Sequence, residues 1–178
     1  ELPCARQDLA LRLGVPTEAI TIEAWVKPAS FPNAAPTVVR KDLNAVGTTQ
    51  YSLLVGSGAL MNPQKANELA AAVGRLGMPV YLSGMGRGLL GKESNLQLRH
   101  HRKEAIKESD LVILAGLPND FRLDYGRHIG GRPFLSINRS PEDLTKNARP
   151  TLGINADPQD FLIALSQSFQ GNYANWIA

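Results

Sequence analysis

The sequence predicts an α/β fold in which a parallel sheet carries helices on both of its faces. From Tyr51 onward, short apolar runs alternate with longer segments whose apolar residues recur at helical spacing. Strands that are apolar throughout are typical of parallel sheets, because a strand that faces water on one side alternates apolar with polar residues. The alternation of strand and helix continues to residue 169, so the predicted domain spans 51–169.

The first strand and the first helix of the domain are predicted from an apolar run and a helix cap. The run is Ser52–Val55, which ends in the turn sequence Gly56-Ser57-Gly58. Asn62-Pro63 then begins a helix, because asparagine accepts hydrogen bonds from free backbone N–H groups and proline fits the first helical position. Gly77 ends this helix. Its predicted buried face consists of Ala66, Leu69, Ala70, Val73 and Leu76.

Three more strands follow at the spacing that this fold requires. Val80–Leu82 is the second strand. A helix over Arg102–Glu108 leads into the third strand, Leu111–Ala115, and Gly130-Gly131 turns into the fourth, Phe134–Ile137. These strands are short, apolar and rich in β-branched residues, as buried strands usually are.

The last part of the domain carries two further helix caps. Ser140-Pro141-Glu142-Asp143 has the pattern of a capping box, and Asp157-Pro158 caps the final helix. Thr151–Asn155 between them is a fifth, weaker strand. The final helix is predicted to bury Phe161, Leu162, Leu165 and Phe169. The whole pattern predicts a three-layer, Rossmann-like sheet.

Residues 1–50 lack this alternation. Lys27–Pro36 is rich in proline and alanine and is predicted to be a surface linker, the alternative being an arm packed on the domain through Trp25 and Val26. Val39, Leu43 and Val46 fall at i, i+4 and i+7 and predict a short helix that leads into the first strand.

Composition excludes several classes of protein. The 178 residues, 43% hydrophobic and 20% charged, suit one globular domain. The formal net charge of +3 is too small to indicate nucleic-acid binding, and the basic run Arg99–Lys103 is interrupted downstream by acids, as on a solvated helix face. No apolar run is long enough to span a bilayer, so we expect no membrane contact. A single cysteine, Cys4, permits no internal disulfide.

The run Gly86–Gly91 matches the dinucleotide-binding pattern G-x-G-x-x-G but fails its structural conditions. A true fingerprint follows the first strand, opens a helix, and has an acidic residue at the end of the next strand. This run follows the second predicted strand, and Asp110 begins a strand instead of ending one. No metal-ligand cluster, Walker A motif or G-x-S-x-G elbow is present, so we expect no catalytic group and no metal site on this chain.

Parallel sheets bind ligands beyond the carboxyl ends of their strands. Gly56 and Gly58 follow the first predicted strand, and Gly84 and Met85 follow the second. Small residues there either let a ligand approach the backbone or simply serve tight turns.

Polar side chains follow the third and fourth strands. Asp120 and Arg122 belong to a dense polar run, in which Arg122 or Arg127 is suited to phosphate because a guanidinium pairs bidentately with its oxygens. The alternative is a surface ion-pair cluster. Asn138 is placed to bond a ribose or an adenine, or it is ordinary turn chemistry before Ser140.

These features together resemble the central domain of thiamine-diphosphate-dependent enzymes of the acetolactate synthase group. The resemblance covers 51–169, and the segments GMGRGLLGK and DFRLDYGR are most similar to the acetolactate synthase-like branch near the 2-hydroxyacyl-CoA lyases. The matching segments are Leu54–Ala59, Leu76–Val80, Gly84–Gly88, Ser109–Gly116, and Asp157 followed by Phe161-Leu162.

The resemblance implies that this chain is part of a larger enzyme. Residues 1–50 would then comprise the end of a preceding pyrimidine-binding domain, a linker and the lead-in helix, and 170–178 would begin a linker to a pyrophosphate-binding domain. In such enzymes thiamine diphosphate and magnesium are held by those flanking domains, which carry the catalytic glutamate. The parent is expected to be a homo-oligomer that makes or cleaves carbon–carbon bonds. The alternative is a stand-alone nucleotide-binding or scaffold domain without catalysis.

Some members of the family bind FAD or an ADP moiety at the strand ends. Carried over by position, the nucleotide contacts would be Gly56, Gly58, Gly84, Met85, Asp120, Arg122 and Asn138. Two departures count against FAD: Arg99–Arg102 stands where flavin-binding synthases have a glycine-rich turn, and Asn138 stands where they have an acid. FAD, an ADP- or CoA-like ligand, and no nucleotide all remain open at this point.

Overall fold

The computed structural model describes residues 11–14, 20–24, 39–41 and 51–168. The first of these form strands β1 (Leu11–Gly14), β2 (Ile20–Ala24) and β3 (Val39–Lys41), which pair antiparallel in the order β1-β2-β3. The predicted lead-in helix is wrong at its start, because Val39–Lys41 is a strand. Three apolar residues at helical spacing are too few to define a period, and β-branched valine favours a strand. The predicted linkers at Lys27–Pro36 and 170–178 lie outside the described residues.

The second sheet confirms the predicted parallel α/β fold. Its five strands are all parallel and lie in the order β5-β4-β6-β7-β8. Each predicted strand is found within one residue of its expected bounds. The strands are β4 (Tyr51–Val55), β5 (Val80–Leu82), β6 (Leu111–Ala115), β7 (Phe134–Asn138) and β8 (Leu152–Asn155).

Four α-helices accompany this sheet in the described residues. They are α1 (Ala66–Leu76), α2 (Arg102–Glu108), α3 (Pro141–Leu144) and α4 (Pro158–Ser168). The predicted caps are confirmed: the Asn62 side chain accepts a hydrogen bond from the Gln64 N–H, and the side chain of Ser140 accepts one from the Asp143 N–H at 3.2 Å. Asp157 does the same for the Gln159 N–H at 2.8 Å.

Helix α1 begins after a short 3-10 turn, Pro63–Lys65, and ends at Gly77, whose φ of 62° only glycine adopts without strain. Its buried residues are Leu69, Ala72, Val73 and Leu76. The predicted face is therefore slightly rotated, since Ala66 and Ala70 are only half-buried.

Two apolar cores, one on each face of the sheet, make the domain three layers thick. On one face Leu53, Val55 and Ile113 pack with α1 and α4. On the other face Leu54, Val112 and Leu114 pack with Ile106 of α2 and with the segment that follows β6. Alternate residues of the same strands therefore enter opposite cores, which is why the strands are apolar throughout.

The outer edge of β5 is covered by an extended segment. Val80 donates its N–H to the Leu96 carbonyl oxygen, and Leu98 donates to the Val80 carbonyl oxygen, both at 2.9 Å. This pairing pins down the chain between β5 and α2, and it brings Arg99 to the side of the sheet. Part of the segment between Arg87 and Arg102 therefore lies along the outer edge of β5.

Candidate functional site at the carboxyl edge of the sheet

The strand order places the topological switch point between β4 and β6. The chain passes from β4 to β5 on one side and then crosses to β6 on the other side. Connections that leave in opposite directions open a crevice at the carboxyl ends of such strands, and ligands of parallel sheets bind there. Gly56 and Gly58 of the predicted site lie at this point.

Three glycines close the crevice by backbone contact. A Cβ atom at Gly56 would lie 2.3 Å from the Gly116 carbonyl oxygen, and one at Gly58 would lie 2.9 Å from the Gly116 Cα. Gly116 itself has a φ of 65°, and its Cβ would lie 2.4 Å from the Ala59 nitrogen. The Gly58 N–H donates to the Gly116 carbonyl oxygen at 3.0 Å. Contact between the two loops therefore accounts for glycine at all three positions.

Gly84 and Met85 join the same cluster of loops through Ser57. The Ser57 hydroxyl accepts a hydrogen bond from the Met85 N–H at 3.1 Å, and a Cβ at Gly84 would lie 2.1 Å from that oxygen. The Met85 side chain is exposed. Four of the predicted site residues thus lie on two loops that contact each other.

Asp120 and Arg122 form an ion pair with each other. The Asp120 carboxylate accepts from the Arg122 backbone N–H at 3.0 Å and from the guanidinium at 2.7 Å. Burial alone would raise the pKa of Asp120, but the hydrogen bonds and the charge of Arg122 outweigh it and hold the pKa below its usual value. The Arg122 guanidinium also lies over the Phe121 ring, 5.3 Å from its centre. The charge of Arg122 is therefore paired within its own loop, in agreement with the ion-pair alternative.

Asn138 is buried at the end of β7, and its side chain serves the turn that follows. Its Oδ1 accepts a long hydrogen bond from the Ser140 N–H at 3.4 Å. The next residue connects this turn to the switch point, because Arg139 donates to the Gly58 carbonyl oxygen at 2.6 Å and pairs with Asp157. Arg139 was not among the predicted site residues, and nothing in the sequence distinguishes it from other loop arginines.

A cavity outside the switch point is lined by three arginines. It measures about 610 Å³ and lies against β5. Arg87, Arg99 and Arg102 line it, and no acidic residue does; the remaining lining is Tyr81, Leu82, Gly88, Gln97 and Leu98. Pockets for small ligands usually measure about 300–1,000 Å³. We call this the arginine cavity.

The arginine cavity carries positive charge that no acid within 51–168 pairs with. Arg102 instead donates to the Arg122 backbone carbonyl oxygen, which fixes its position. The pKa of nearby His128 is lowered, first by burial and further by the positive charges of Arg102, Lys103 and Lys107, against the opposing effect of Asp124. The positive charges of α2 thus act on His128, although the same helix also carries Glu104 and Glu108.

The basic run is largely exposed to solvent as expected, but only its last two residues, Arg102 and Lys103, are helical. Helix α2 begins only at Arg102, and His101 before it has a φ of 55°. Both Arg99 and Lys103 are exposed, but Arg99 lies on the segment that pairs with β5 and lines the cavity, whereas Lys103 lies on α2 and does not line it. The signal available in the sequence was the arginine inside the glycine run, Arg87, together with Arg99 and Arg102.

The glycine run confirms that the dinucleotide pattern is accidental. Gly84–Gly86 is a single 3-10 turn after β5, and the chain then bends through Gly88 and Gly91 without entering a helix. Asp110 lies just before the first residue of β6. Among the described residues, no three histidines, cysteines or acids are grouped to hold a metal, and no helix there is long and apolar enough to cross a membrane.

Comparison with known proteins decides between the families that share this fold. Residues 47–165 match the family model for the thiamine pyrophosphate enzyme, central domain. The chain belongs to this family, and residues 47–165 are the central domain. The resemblance found in the sequence is thereby confirmed, and the match covers all five strands of the parallel sheet.

Curated relatives of the chain include enzymes of two names. The chain is 38% identical over 151 residues to 2-hydroxyacyl-CoA lyase 2 of Danio rerio, covering 82% of this chain and 24% of the relative. For the Mus musculus protein of the same name the values are 39%, 81% and 24%. An acetolactate synthase large subunit of Mycobacterium tuberculosis is 31% identical over 56% of this chain and 18% of its own length. The central domain thus spans about a quarter of the lyases it matches.

Glycine substitutions test the closure of the switch point. We expect Gly116→Ala to destabilise the domain by about 1–3 kcal/mol, because it combines a left-handed backbone with a backbone clash. Gly74→Ala is the matched control: Gly74 lies exposed in α1 with nothing within 4 Å of its Cβ position, so we expect a gain of about 0.5–1 kcal/mol. Urea melts measure the free energy of unfolding of both variants. Equal changes would contradict the contact between the loops at Gly116.

The Asp120–Arg122 pair predicts a dependence of stability on pH. Because the pKa of Asp120 is lowered by folding, the pair stabilises the domain above the unfolded pKa of aspartate and ceases to do so as the pH falls through the lowered value. Arg122→Gln should cost roughly 1–3 kcal/mol at pH 7, and the difference from the wild type should shrink below about pH 4. Arg127→Gln removes an 82% exposed arginine from the same loop and should cost little at any pH. Urea melts at several pH values measure this, and a pH-independent cost at Arg122 would exclude the pair as its cause.

Proposed function

We propose that this central domain belongs to a thiamine-diphosphate-dependent polypeptide that makes or cleaves carbon–carbon bonds of 2-keto or 2-hydroxyacyl substrates. The match of 47–165 to the family model carries the proposal, and the names of the relatives support the substrate class. The greater identity to the 2-hydroxyacyl-CoA lyases favours cleavage of a 2-hydroxyacyl-CoA over acetolactate synthesis. The parent is proposed to be a homo-oligomer, as is usual for such enzymes.

The described residues of the central domain do not fit the thiamine diphosphate and magnesium of the reaction. They contain no cluster of metal ligands, and the backbone at Gly116 packs against Gly56 and Gly58 at the strand ends. We therefore place both groups in the flanking pyrimidine- and pyrophosphate-binding domains of the same polypeptide. There, thiamine diphosphate would supply the carbanion-stabilising chemistry that carbon–carbon bond cleavage or formation needs. The central domain acts as a scaffold and, at the arginine cavity, as a binding site.

An assay of the full-length polypeptide tests the proposed reaction. We expect it to cleave a 2-hydroxyacyl-CoA into a shortened aldehyde and formyl-CoA only when thiamine diphosphate and magnesium are supplied. Product formation by mass spectrometry is the measurement, with the same protein lacking thiamine diphosphate as the control. Cofactor-independent activity, or none on 2-hydroxyacyl-CoA and 2-keto acids alike, would contradict the proposal.

The arginine cavity supports a phosphate-bearing ligand of the ADP or CoA type. Its three arginines have no carboxylate partner in 51–168, and phosphate is the common biological anion that arginine pairs with bidentately. The site lies beside the predicted contacts: Arg102 bonds the backbone of Arg122, and Arg87 and Gly88 directly follow the turn that holds Gly84 and Met85. The predicted residues would then border the ligand, while the missed arginines hold its phosphates.

A purely architectural domain is the second candidate. The observation that favours it is the contact between Gly56, Gly58 and Gly116, because packing between two loops already accounts for these glycines without a ligand. In that case the arginine cavity would bind only simple counterions. The two candidates differ in whether any nucleotide stabilises the domain.

Thermal shifts and calorimetry with ADP, FAD, CoA and thiamine diphosphate separate these candidates. A ligand at about 100 times its Kd should add about 2.7 kcal/mol of stability. We expect ADP or CoA to bind, and Arg99→Gln to weaken binding about tenfold or more, because a charge-assisted hydrogen bond is lost. Lys103→Gln removes the same charge from the exposed face of α2 and is the matched control.

Three results would contradict the phosphate site. Equal weakening by Arg99→Gln and Lys103→Gln would indicate only a general charge effect. Binding of adenosine as tight as that of ADP would exclude phosphate recognition. No shift with any nucleotide would favour the architectural domain.

A further inference from the structure

A second cavity adjoins the arginine cavity on the side of helix α2 and measures about 540 Å³. Tyr81, Gln97, Leu98 and Arg99 line both cavities, so the two meet along these residues. We call the second cavity the α2 groove, because the half-buried Ala105 of that helix also lines it. A ligand whose phosphates are held in the arginine cavity would therefore have its other end beside the α2 groove.

The α2 groove differs from the arginine cavity in charge. Glu104 and Glu108 line the groove and form no ion pair within 51–168, whereas no acid lines the arginine cavity. Burial raises the pKa of Tyr81, the charge of Arg102 opposes that rise, and the charge of Glu104 adds to it. Carboxylates repel phosphate but accept hydrogen bonds from uncharged N–H groups, such as the exocyclic amine of a base. The two cavities therefore suit a ligand with phosphate at one end and an uncharged donor at the other.

Two exposed histidines, His100 and His101, line the α2 groove. The Tyr81 hydroxyl donates to the His100 carbonyl oxygen at 3.0 Å and so holds this turn against β5. His101 has a φ of 55°, in the left-handed region that glycine adopts without strain and other residues adopt at a cost. Strained residues of this kind are concentrated at ligand-binding sites, and bases stack on exposed aromatic rings, including that of histidine. The turn is therefore suited to hold the flat ring of a base.

Gln97 lies where the two cavities meet, and one of its hydrogen-bonding atoms is unpaired. Its Oε1 is buried and has no hydrogen-bond partner within 51–168. Buried polar atoms are nearly always paired, so an unpaired acceptor indicates a place for a donor. In a nucleotide the sugar connects the base to the phosphates and carries hydroxyl donors. A nucleotide that extends across both cavities would bring its sugar to Gln97, and a rotation of the amide would let a hydroxyl donate to Oε1.

We propose that the arginine cavity and the α2 groove together bind an adenosine diphosphate moiety, whose adenine stacks on His101 and donates its amine to Glu104. This site rests on the phosphate site of the proposed function, which it extends to the base. It lies apart from Asn138, where the sequence suggested a ribose or adenine contact, because β4 and β6 separate β7 from β5. The Asn138 Oδ1 already accepts from the Ser140 N–H. Free ADP and CoA both carry the adenosine diphosphate moiety.

Inosine diphosphate tests the contact with Glu104, because its base carries a carbonyl oxygen where adenine carries the amine. We expect the full-length polypeptide, with its thiamine site saturated by thiamine diphosphate and magnesium, to bind ADP about tenfold or more tightly than inosine diphosphate in calorimetry. In Glu104→Gln the ratio of affinities should fall to about threefold or less, because a carboxamide both accepts and donates. Glu68→Gln, exposed on α1, is the matched control and should leave the ratio unchanged. Equal affinities for the two nucleotides, or a ratio that Glu104→Gln does not change, would overturn the proposal.

His101→Gly tests the stacking separately from the charge. The variant should weaken ADP binding about fivefold or more, because base stacking on an aromatic ring is lost, and should leave the affinity for inorganic pyrophosphate unchanged. Glycine adopts the backbone conformation of this turn without strain, so the midpoint of urea unfolding should not fall. Wild-type affinity for ADP in this variant, or an equal loss of pyrophosphate binding, would overturn the placement of the base.

Titration with CoA identifies the source of the moiety. Tighter binding of CoA than of ADP assigns the site to CoA and the reverse assigns it to the free nucleotide, and either result supports the shared site. Equal affinities for pyrophosphate, ADP and inosine diphosphate would overturn the base contacts and leave the phosphate site in place. If none of these ligands bound, the phosphate site of the proposed function would fail as well, whereas thiamine-diphosphate-dependent cleavage is measured independently in the same protein.

Discussion

The contact between the loops that follow β4 and β6 is the constraint on which the carboxyl edge of this domain depends. Gly56 and Gly58 lie so close to Gly116 that any side chain at these positions would collide with backbone atoms. The contact holds the two central strands in register at their ends, and a hydrogen bond from Gly58 to Gly116 completes it. Arg139 then ties the β4 loop to Asp157 at the far end of the sheet. The loops that follow the two central strands therefore pack directly against each other at the switch point.

Closing the switch point determines where charge can accumulate. Arg122 is paired with Asp120 and Arg139 with Asp157, so the arginines near the centre of the edge are neutralised. The arginines of the cavity beside β5 are left without acids in 51–168, because the extended segment Leu96–Leu98 turns Arg99 towards the cavity while Arg102 opens α2. Unpaired guanidinium groups around a concave surface repel one another, and an anion between them relieves that repulsion. This electrostatic imbalance is the reason for proposing a phosphate site at the edge of the sheet and not at its centre.

The sequence predicted the parallel fold well because each signal was strong and local. Strands such as Leu111–Ala115 are continuous apolar runs, and the caps at Asn62, Ser140 and Asp157 mark helix starts by short-range chemistry. The first fifty residues offered no such period, and a triple of apolar residues indicated a helix where Val39–Lys41 forms a strand. The parallel pairing also fixed which residues share the carboxyl edge, and so it grouped the predicted site residues correctly on neighbouring loops.

The sequence could not show how those residues use their side chains and space. In the sequence, a glycine after a strand looks the same whether a ligand or another loop approaches it. The structure shows the approach of a loop, because a Cβ atom at Gly56 would lie 2.3 Å from the Gly116 carbonyl oxygen. Likewise, Arg122 and Arg99 are both loop arginines. Arg122 pairs with Asp120, two residues before it, whereas Arg99 is brought to the cavity because the preceding residues Leu96–Leu98 pair with β5. Tertiary contacts over long sequence separations decide these roles, and spacing along the chain does not encode them.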